Sequence, residues 1–129
     1  MSVRVVVGAA IVRDGRVLAA RRSAPPELAG CWEFPGGKVQ DGETDADALV
    51  RECREELGVE IAVETLLGSE PIAAGLILRV YLAEHLLGDP EPRQDHDDVR
   101  WLSALAVESV QWLPADRRLL GVVAARLSD

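Results

Sequence analysis

A chain of 129 residues, 48% of them hydrophobic, is long enough to form one domain (1–129) with a real core, and no linker, internal repeat or low-complexity tract divides it. A formal charge of −8 argues against a nucleic-acid polymer as partner, because phosphate backbones are bound through basic patches. No apolar run reaches membrane-spanning length, the N-terminus lacks the features of a signal peptide, and Cys31 and Cys53 give neither zinc spacing nor a disulfide framework, so a cytoplasmic location is expected.

In chain order, the opening MSVRVVVGAAIVR reads directly as a strand, with Val3 to Val12 apolar-rich. Asp14-Gly15 suits a tight turn, and Arg16 to Ala20 completes a hairpin. Arg21 to Gly30 is a polar, Pro-containing connection, followed by a short extended piece, Trp32 to Phe34. Pro35-Gly36-Gly37 predicts a turn, in which proline fixes one backbone angle and the glycines permit angles other residues avoid. Beyond a helix, Glu60 to Leu67 and Gly75 to Leu86 are strand-like, Asp89 to Asp98 is a charged loop and Val99 to Leu102 another short strand. Ser103 suits the cap of a short helical turn, and Pro114 the first turn of a final helix ending near Leu127. Strands with two principal helices point to an α/β fold, an α/β/α sandwich around a mixed sheet.

The central helix carries its own start and stop signals. The Thr44 hydroxyl can accept a first-turn N–H, Asp45 and Asp47 suit the positive end, and Gly58 suits the stop after Leu57. At about 100° per residue, Ala46, Leu49, Val50, Cys53 and Leu57 share one arc, the expected core face. Cys53 reads there as a small hydrophobe. Glu52, Glu55 and Glu56 fall on the adjoining flank, and Arg51 and Arg54 roughly opposite the core face.

Charged residues on a helix are commonly a solvated face, and Arg51 can pair with Glu55 at i,i+4. Against that, Glu52 stands i,i+3 from Glu55 and i,i+4 from Glu56, a stacking of like charges that costs a few tenths of a kcal/mol per pair. A divalent cation reverses the sign. Mg²⁺ is a hard ion that takes carboxylate oxygens, keeps several waters and commonly bridges a protein to substrate phosphates.

From Gly37 to Val59 the chain reads GKVQDGETDADALVRECREELGV, with Glu43, Arg51-Glu52, Glu55-Glu56 and Gly58 at fixed spacings. This resembles a complete Nudix box. Seven fixed residue types give a chance match at any one start on the order of 10⁻⁹ to 10⁻⁸. The resemblance extends to Arg21-Arg22, PPELAG, WEFPGGKVQDGE and the C-terminal QWLPADRRLL, and is nearest to the MutT-like nucleoside triphosphate pyrophosphohydrolases. It implies the Nudix fold. It also implies that a metal-activated water attacks a bridging phosphoanhydride and releases a nucleoside monophosphate and pyrophosphate, with Mg²⁺ as cofactor and Mn²⁺ as a substitute.

By residue match, the resemblance makes Glu52, Glu55 and Glu56 metal ligands, with Glu52 also a base for the attacking water, and adds a backbone carbonyl from Gly36. Glu43 and Arg51 brace the site. A further glutamate six residues before a tryptophan often completes the family's site; here that spacing lands on Asp95 before Trp101, a shorter side chain. Asp95 is expected as a metal ligand or, equally, as a solvated charge, and the neighbouring His96 more as a loop histidine than as a residue that tunes or relays a proton. Arg22 matches a phosphate-binding arginine, Lys38 faces phosphate or solvent, and Phe34 belongs to the base pocket or the core.

Asp116 is the expected specificity residue. Enzymes clearing oxidised guanine nucleotides tend to carry asparagine at the matching site, and those resembling cytidine triphosphate pyrophosphohydrolases tend to carry aspartate. An ionised aspartate only accepts, and the cytosine amino group is a donor. Cytidine-type nucleotides are therefore slightly favoured over 8-oxo-dGTP. A non-catalytic nucleotide-binding module and an enzyme for another diphosphate are the competing readings. Monomer and homodimer are both open.

Overall fold

The first strand sorts its side chains as period-two geometry requires. In the computed structural model, which describes residues 3–129, β1 (Arg4–Arg13) and β2 (Arg16–Arg22) form an antiparallel hairpin with Val12 opposite Val17. Met1 and Ser2, which open the expected strand, lie outside the described residues. Asp14 and Gly15 turn the hairpin with φ of 52° and 75°, the left-handed pair that the twist of a two-residue turn demands. Val7, Ala9 and Ile11 of β1 and Leu18 of β2 face one side of the sheet, while Ala10, Val17 and Ala19 face the other. Both faces are buried, so the sheet is the middle layer of three.

The remaining strands are β3 (Trp32–Glu33), β4 (Gly36–Lys38), β5 (Glu60–Ala73), β6 (Leu76–Leu87) and β7 (His96–Leu102). Their order is β3-β2-β1-β6-β5, with β4 also on β1 and β7 on β2. Only β1 and β6 run parallel among these pairs, which makes the sheet mixed. β5 extends well past the expected Leu67, as a long hairpin with β6.

Helix α1 (Asp45–Leu57) covers the first face, and its caps are the expected ones: Asp47 N–H donates to Thr44 Oγ1 at 3.1 Å, and Gly58 is left-handed at φ 69°. Its core face differs. Ala48, Leu49, Cys53, Glu56 and Leu57 are buried, whereas Ala46 is exposed and Val50 only half-buried. At about 100° per residue this face is rotated by roughly 50° toward the glutamate flank. The helix meets β4 and β1 as well as β5, and that contact draws Glu56 inward.

The second face is covered by the C-terminal segment. Ser103 Oγ accepts from Ala106 N–H at 3.3 Å before a 3₁₀ turn at Val107–Ser109. The single final helix expected to reach Leu127 is instead two short ones, α2 (Pro114–Arg117) and α3 (Leu120–Ala124). The break falls at Leu119, whose ψ of 1° leaves helical geometry as its N–H bonds Asp116 O three residues back, at 3.0 Å. Leu119, Leu120 and Val123 pack on Ala10, Ala19 and Trp112.

Candidate active site

The expected turn at Gly36-Gly37 is a strand. Gly36, Gly37 and Lys38 pair with Gly8, Val7 and Val6 of β1. The glycines are needed for close approach: a Cβ on Gly36 would strike the Val7 carbonyl, and one on Gly37 the Glu52 carboxylate. The Gly36 N–H donates to Glu56 Oε2 at 3.2 Å, tying strand to helix.

Arg51 is the second tie. Its Nε and Nη2 donate to the two oxygens of Glu43 at 2.6 and 3.0 Å, and Nη2 also reaches the Lys38 carbonyl at 3.3 Å. Glu43 in turn accepts from Gln40 N–H at 3.0 Å. The Arg51 guanidinium holds the Glu43 carboxyl down at about 2. The arginine's remaining nitrogen, Nη1, bonds Glu52 Oε1 and stands 3.4 Å from Glu55 Oε2. The bracing pair expected from the sequence is therefore present, and it also holds the Glu52 carboxylate against Gly37.

The three glutamates occupy different environments. Glu55 is exposed, Glu52 largely covered, and Glu56 only 8% exposed, which the picture of one solvated flank does not describe. Burial raises the Glu52 carboxyl above its usual value. Burial, with the nearby charges of Glu52 and then Glu33, pushes Glu56 up to about 8, against the pull of the Gly36 N–H and Arg22. Among the described residues no three His, Cys, Asp or Glu side chains form a ready-made metal cage. The donor set nevertheless suits a hard cation that keeps most of its waters, because a positive ion offsets both the burial and the neighbouring negative charges that lift Glu56.

Beside the carboxylates lies a cavity of about 410 Å³, within the range of small-ligand sites, and Gly36 and Gly37 form part of its wall. Arg22, Glu33, Phe34, Lys38 and Asp116 line it too. Phe34 serves as both core and wall, 3% exposed with its ring 4.7 Å from that of Trp112. Asp116 is buried at 6% exposure and accepts from Phe34 N–H at 2.9 Å. Burial is the main cause that raises its carboxyl to about 7. Arg22 is less free than a phosphate ligand was expected to be, since Nη1 donates to Glu33 Oε2 at 3.0 Å and Nε to the Ala24 carbonyl at 2.9 Å. Its Nη2 is 3.9 Å from Asp95, whose side chain is 67% exposed.

Two further residues belong to this region: Glu33, which lines the cavity, and His96, which is bonded to Glu33. The sequence signal for Glu33 is a lone charge between Trp32 and Phe34 in an extended segment. His96 is no loop histidine: it opens β7 opposite Arg22, its side chain is 1% exposed, and Nε2 lies 2.8 Å from Glu33 Oε2. No sequence pattern places it there, because β2 and β7 are far apart in the chain.

The NUDIX domain family matches residues 2–121, a span that contains every one of these side chains. The chain belongs to the Nudix family. A Mycobacterium tuberculosis (strain ATCC 25618 / H37Rv) relative named "Putative 8-oxo-dGTP diphosphatase 2" is 45% identical over 129 residues, covering 97% of this chain and 91% of its own. The Escherichia coli (strain K12) CTP pyrophosphohydrolase is 40% identical over 118 residues, covering 89% and 87%. The crystal structure of a MutT NUDIX hydrolase from Burkholderia pseudomallei superposes with a TM-score of 0.82 at 38% identity, covering 95% of this chain and 99% of that one. The chain is a Nudix hydrolase with nucleotide pyrophosphohydrolase relatives, and the Nudix fold expected from its sequence is the one observed. No helix among the described residues is long and apolar enough to cross a membrane.

Proposed function

We propose that this Nudix hydrolase cleaves a nucleoside triphosphate to a nucleoside monophosphate and pyrophosphate, with Mg²⁺ as cofactor, and that cytidine-type nucleotides are its preferred substrates. The observation that carries this reading is the adjacency of two unlike parts: a carboxylate cluster centred on buried Glu56, and a partly apolar cavity floored by Phe34 and Asp116. The cluster suits a cation-bound phosphate chain and the cavity suits a nucleoside.

Glu52, Glu55 and Glu56, with the Gly36 carbonyl, would hold the ion, and Asp95, by its spacing six residues before Trp101, is the candidate for a further ligand. When bound, the cation neutralises phosphate charge and makes water a better nucleophile. Glu52 takes the proton from the attacking water, the water oxygen forms the new P–O bond, and the bridging P–O bond breaks with its electron pair leaving on the released group. Arg51 keeps Glu52 pressed to Gly37, and Glu43 keeps Arg51 in place. Arg22 and Lys38, both on the cavity wall, supply positive charge toward the phosphates.

Asp116 reads the base. Ionised, its carboxylate accepts from the cytosine amino group. A second reading, 8-oxo-dGTP, is favoured by one observation: burial holds this carboxyl at about 7, so near neutral pH a protonated form that can also donate is populated. The names of the two relatives divide in the same way. Pyrophosphate release from a panel including CTP, dCTP and 8-oxo-dGTP decides between them, and equal inertness of every cytidine form removes the preference.

A further inference from the structure

Three strands bring three charged or polar side chains together: Arg22 and Glu33 line the cavity, and His96, buried, is bonded to Glu33. The β2–β3 ladder sets Ala20 opposite Glu33, and the β2–β7 ladder sets Arg22 opposite His96 across an irregularity in register. Glu33 Oε2 then receives both Arg22 Nη1 at 3.0 Å and His96 Nε2 at 2.8 Å. Facing a carboxylate, Nε2 is the nitrogen that carries the proton.

The other ring nitrogen, Nδ1, is buried without a hydrogen-bond partner among the described residues. A buried polar atom left unpaired costs free energy, and an apolar side chain of similar shape would fill the space without that cost. Packing therefore does not account for a histidine here. Among the described residues the one polar contact its ring makes is with Glu33, and Glu33 lines the cavity together with Asp116.

We propose that His96 is a positioning residue: with Arg22 it fixes the Glu33 carboxylate against the cavity wall, so that Glu33 meets the bound nucleoside in one orientation. Two donors from opposite strands fix a carboxylate where one leaves it free to rotate. Without His96, Glu33 is held by Arg22 alone and pivots about that bond. Among the described residues the hydrogen bonds of Glu52, Glu55 and Glu56 run to Arg51 and Gly36 and not to Glu33 or His96, so the ties of the carboxylate cluster are kept. The inference rests on the reading of the cavity as a nucleoside site.

The test uses binding of nucleoside monophosphates, CMP foremost, to the metal-free chain by calorimetry, alongside kcat and KM for the triphosphate. His96→Leu should weaken CMP binding and raise KM by about tenfold, while kcat changes by less than about threefold. His96→Gln, whose amide nitrogen reaches the place of Nε2, should restore most of the loss. His96→Asn, whose amide falls at the place of Nδ1, should not, and it serves as the disruptive variant if His96→Leu does not fold. In a Glu33→Ala background the His96 substitution should have no further effect. Multiplying losses in the double variant, or variants that lower Tm with CMP affinity unchanged, overturn the proposal. Failure of the wild-type chain to bind any nucleoside monophosphate overturns the nucleoside-site reading itself, and this inference with it.

Discussion

Replacing Glu56 with glutamine should stabilise the metal-free protein at alkaline pH while abolishing turnover. Glu56 is 8% exposed, and burial and its acidic neighbours hold its carboxyl at about 8 rather than 4.5. An acid whose folded value is raised binds its proton more tightly in the folded chain. Its contribution to stability is therefore intact below about 4.5 and is lost as pH climbs toward about 8. Each unit of that interval corresponds to about 1.4 kcal/mol, so the whole interval bounds the loss at roughly 5 kcal/mol, and relaxation around a charged Glu56 brings the expected figure to about 2 kcal/mol. Glutamine has the shape of the protonated acid, and its carbonyl accepts the Gly36 N–H that Glu56 now accepts. Urea unfolding with chelator, near pH 4 and near pH 8.5, should give the two proteins nearly equal stability at the acid end and favour Glu56→Gln by about 2 kcal/mol at the other. Taking the difference between the proteins cancels the parallel contribution of Asp116, and Mg²⁺ should close the gap by stabilising the wild type alone. A gap that does not depend on pH, or a wild type more stable at pH 8.5, refutes the reasoning.

Gly37→Ala places a Cβ against the Glu52 carboxylate and should lower kcat by about a hundredfold or more with little loss of CMP affinity, measured by steady-state kinetics and calorimetry. Glu43→Gln removes the charge that anchors Arg51 and should reduce kcat by about tenfold to a hundredfold, while leaving the circular dichroism spectrum unchanged. Because Asp116 changes protonation near 7, the ratio of kcat/KM for CTP to that for 8-oxo-dGTP should rise between about pH 6 and pH 8. In Asp116→Asn that ratio should be flat with pH and shifted toward the oxidised purine.

Locally coded features were legible in the sequence. Thr44 and Gly58 cap α1 within their own turns, Asp14-Gly15 makes the hairpin, and the Arg51–Glu43 pair lies within one helix and the loop before it. Features that depend on partners distant in the chain were not. Gly36–Lys38 is a strand because β1 lies beside it, and a Pro-Gly-Gly stretch alone reads as a turn. The burial of Glu56 follows from how α1 is rotated against β4 and β1, which the helical period cannot specify. Glu33, Arg22 and His96 meet only through pairing of β3, β2 and β7. The last helix breaks at Leu119, where tertiary contacts beneath Leu119 and Leu120 override a continuous helical pattern. Asp95 was found by spacing and does stand near Arg22, yet its side chain remains largely in solvent.

Product analysis of a triphosphate panel by phosphorus NMR, on the wild type and Glu52→Gln, tests the central claim most directly. Wild-type protein with Mg²⁺ should convert CTP or dCTP to the monophosphate and pyrophosphate, and Glu52→Gln should lower kcat by about a hundredfold or more while still binding CMP. Release of orthophosphate with a nucleoside diphosphate, or a Glu52→Gln rate equal to that of the wild type, contradicts the account.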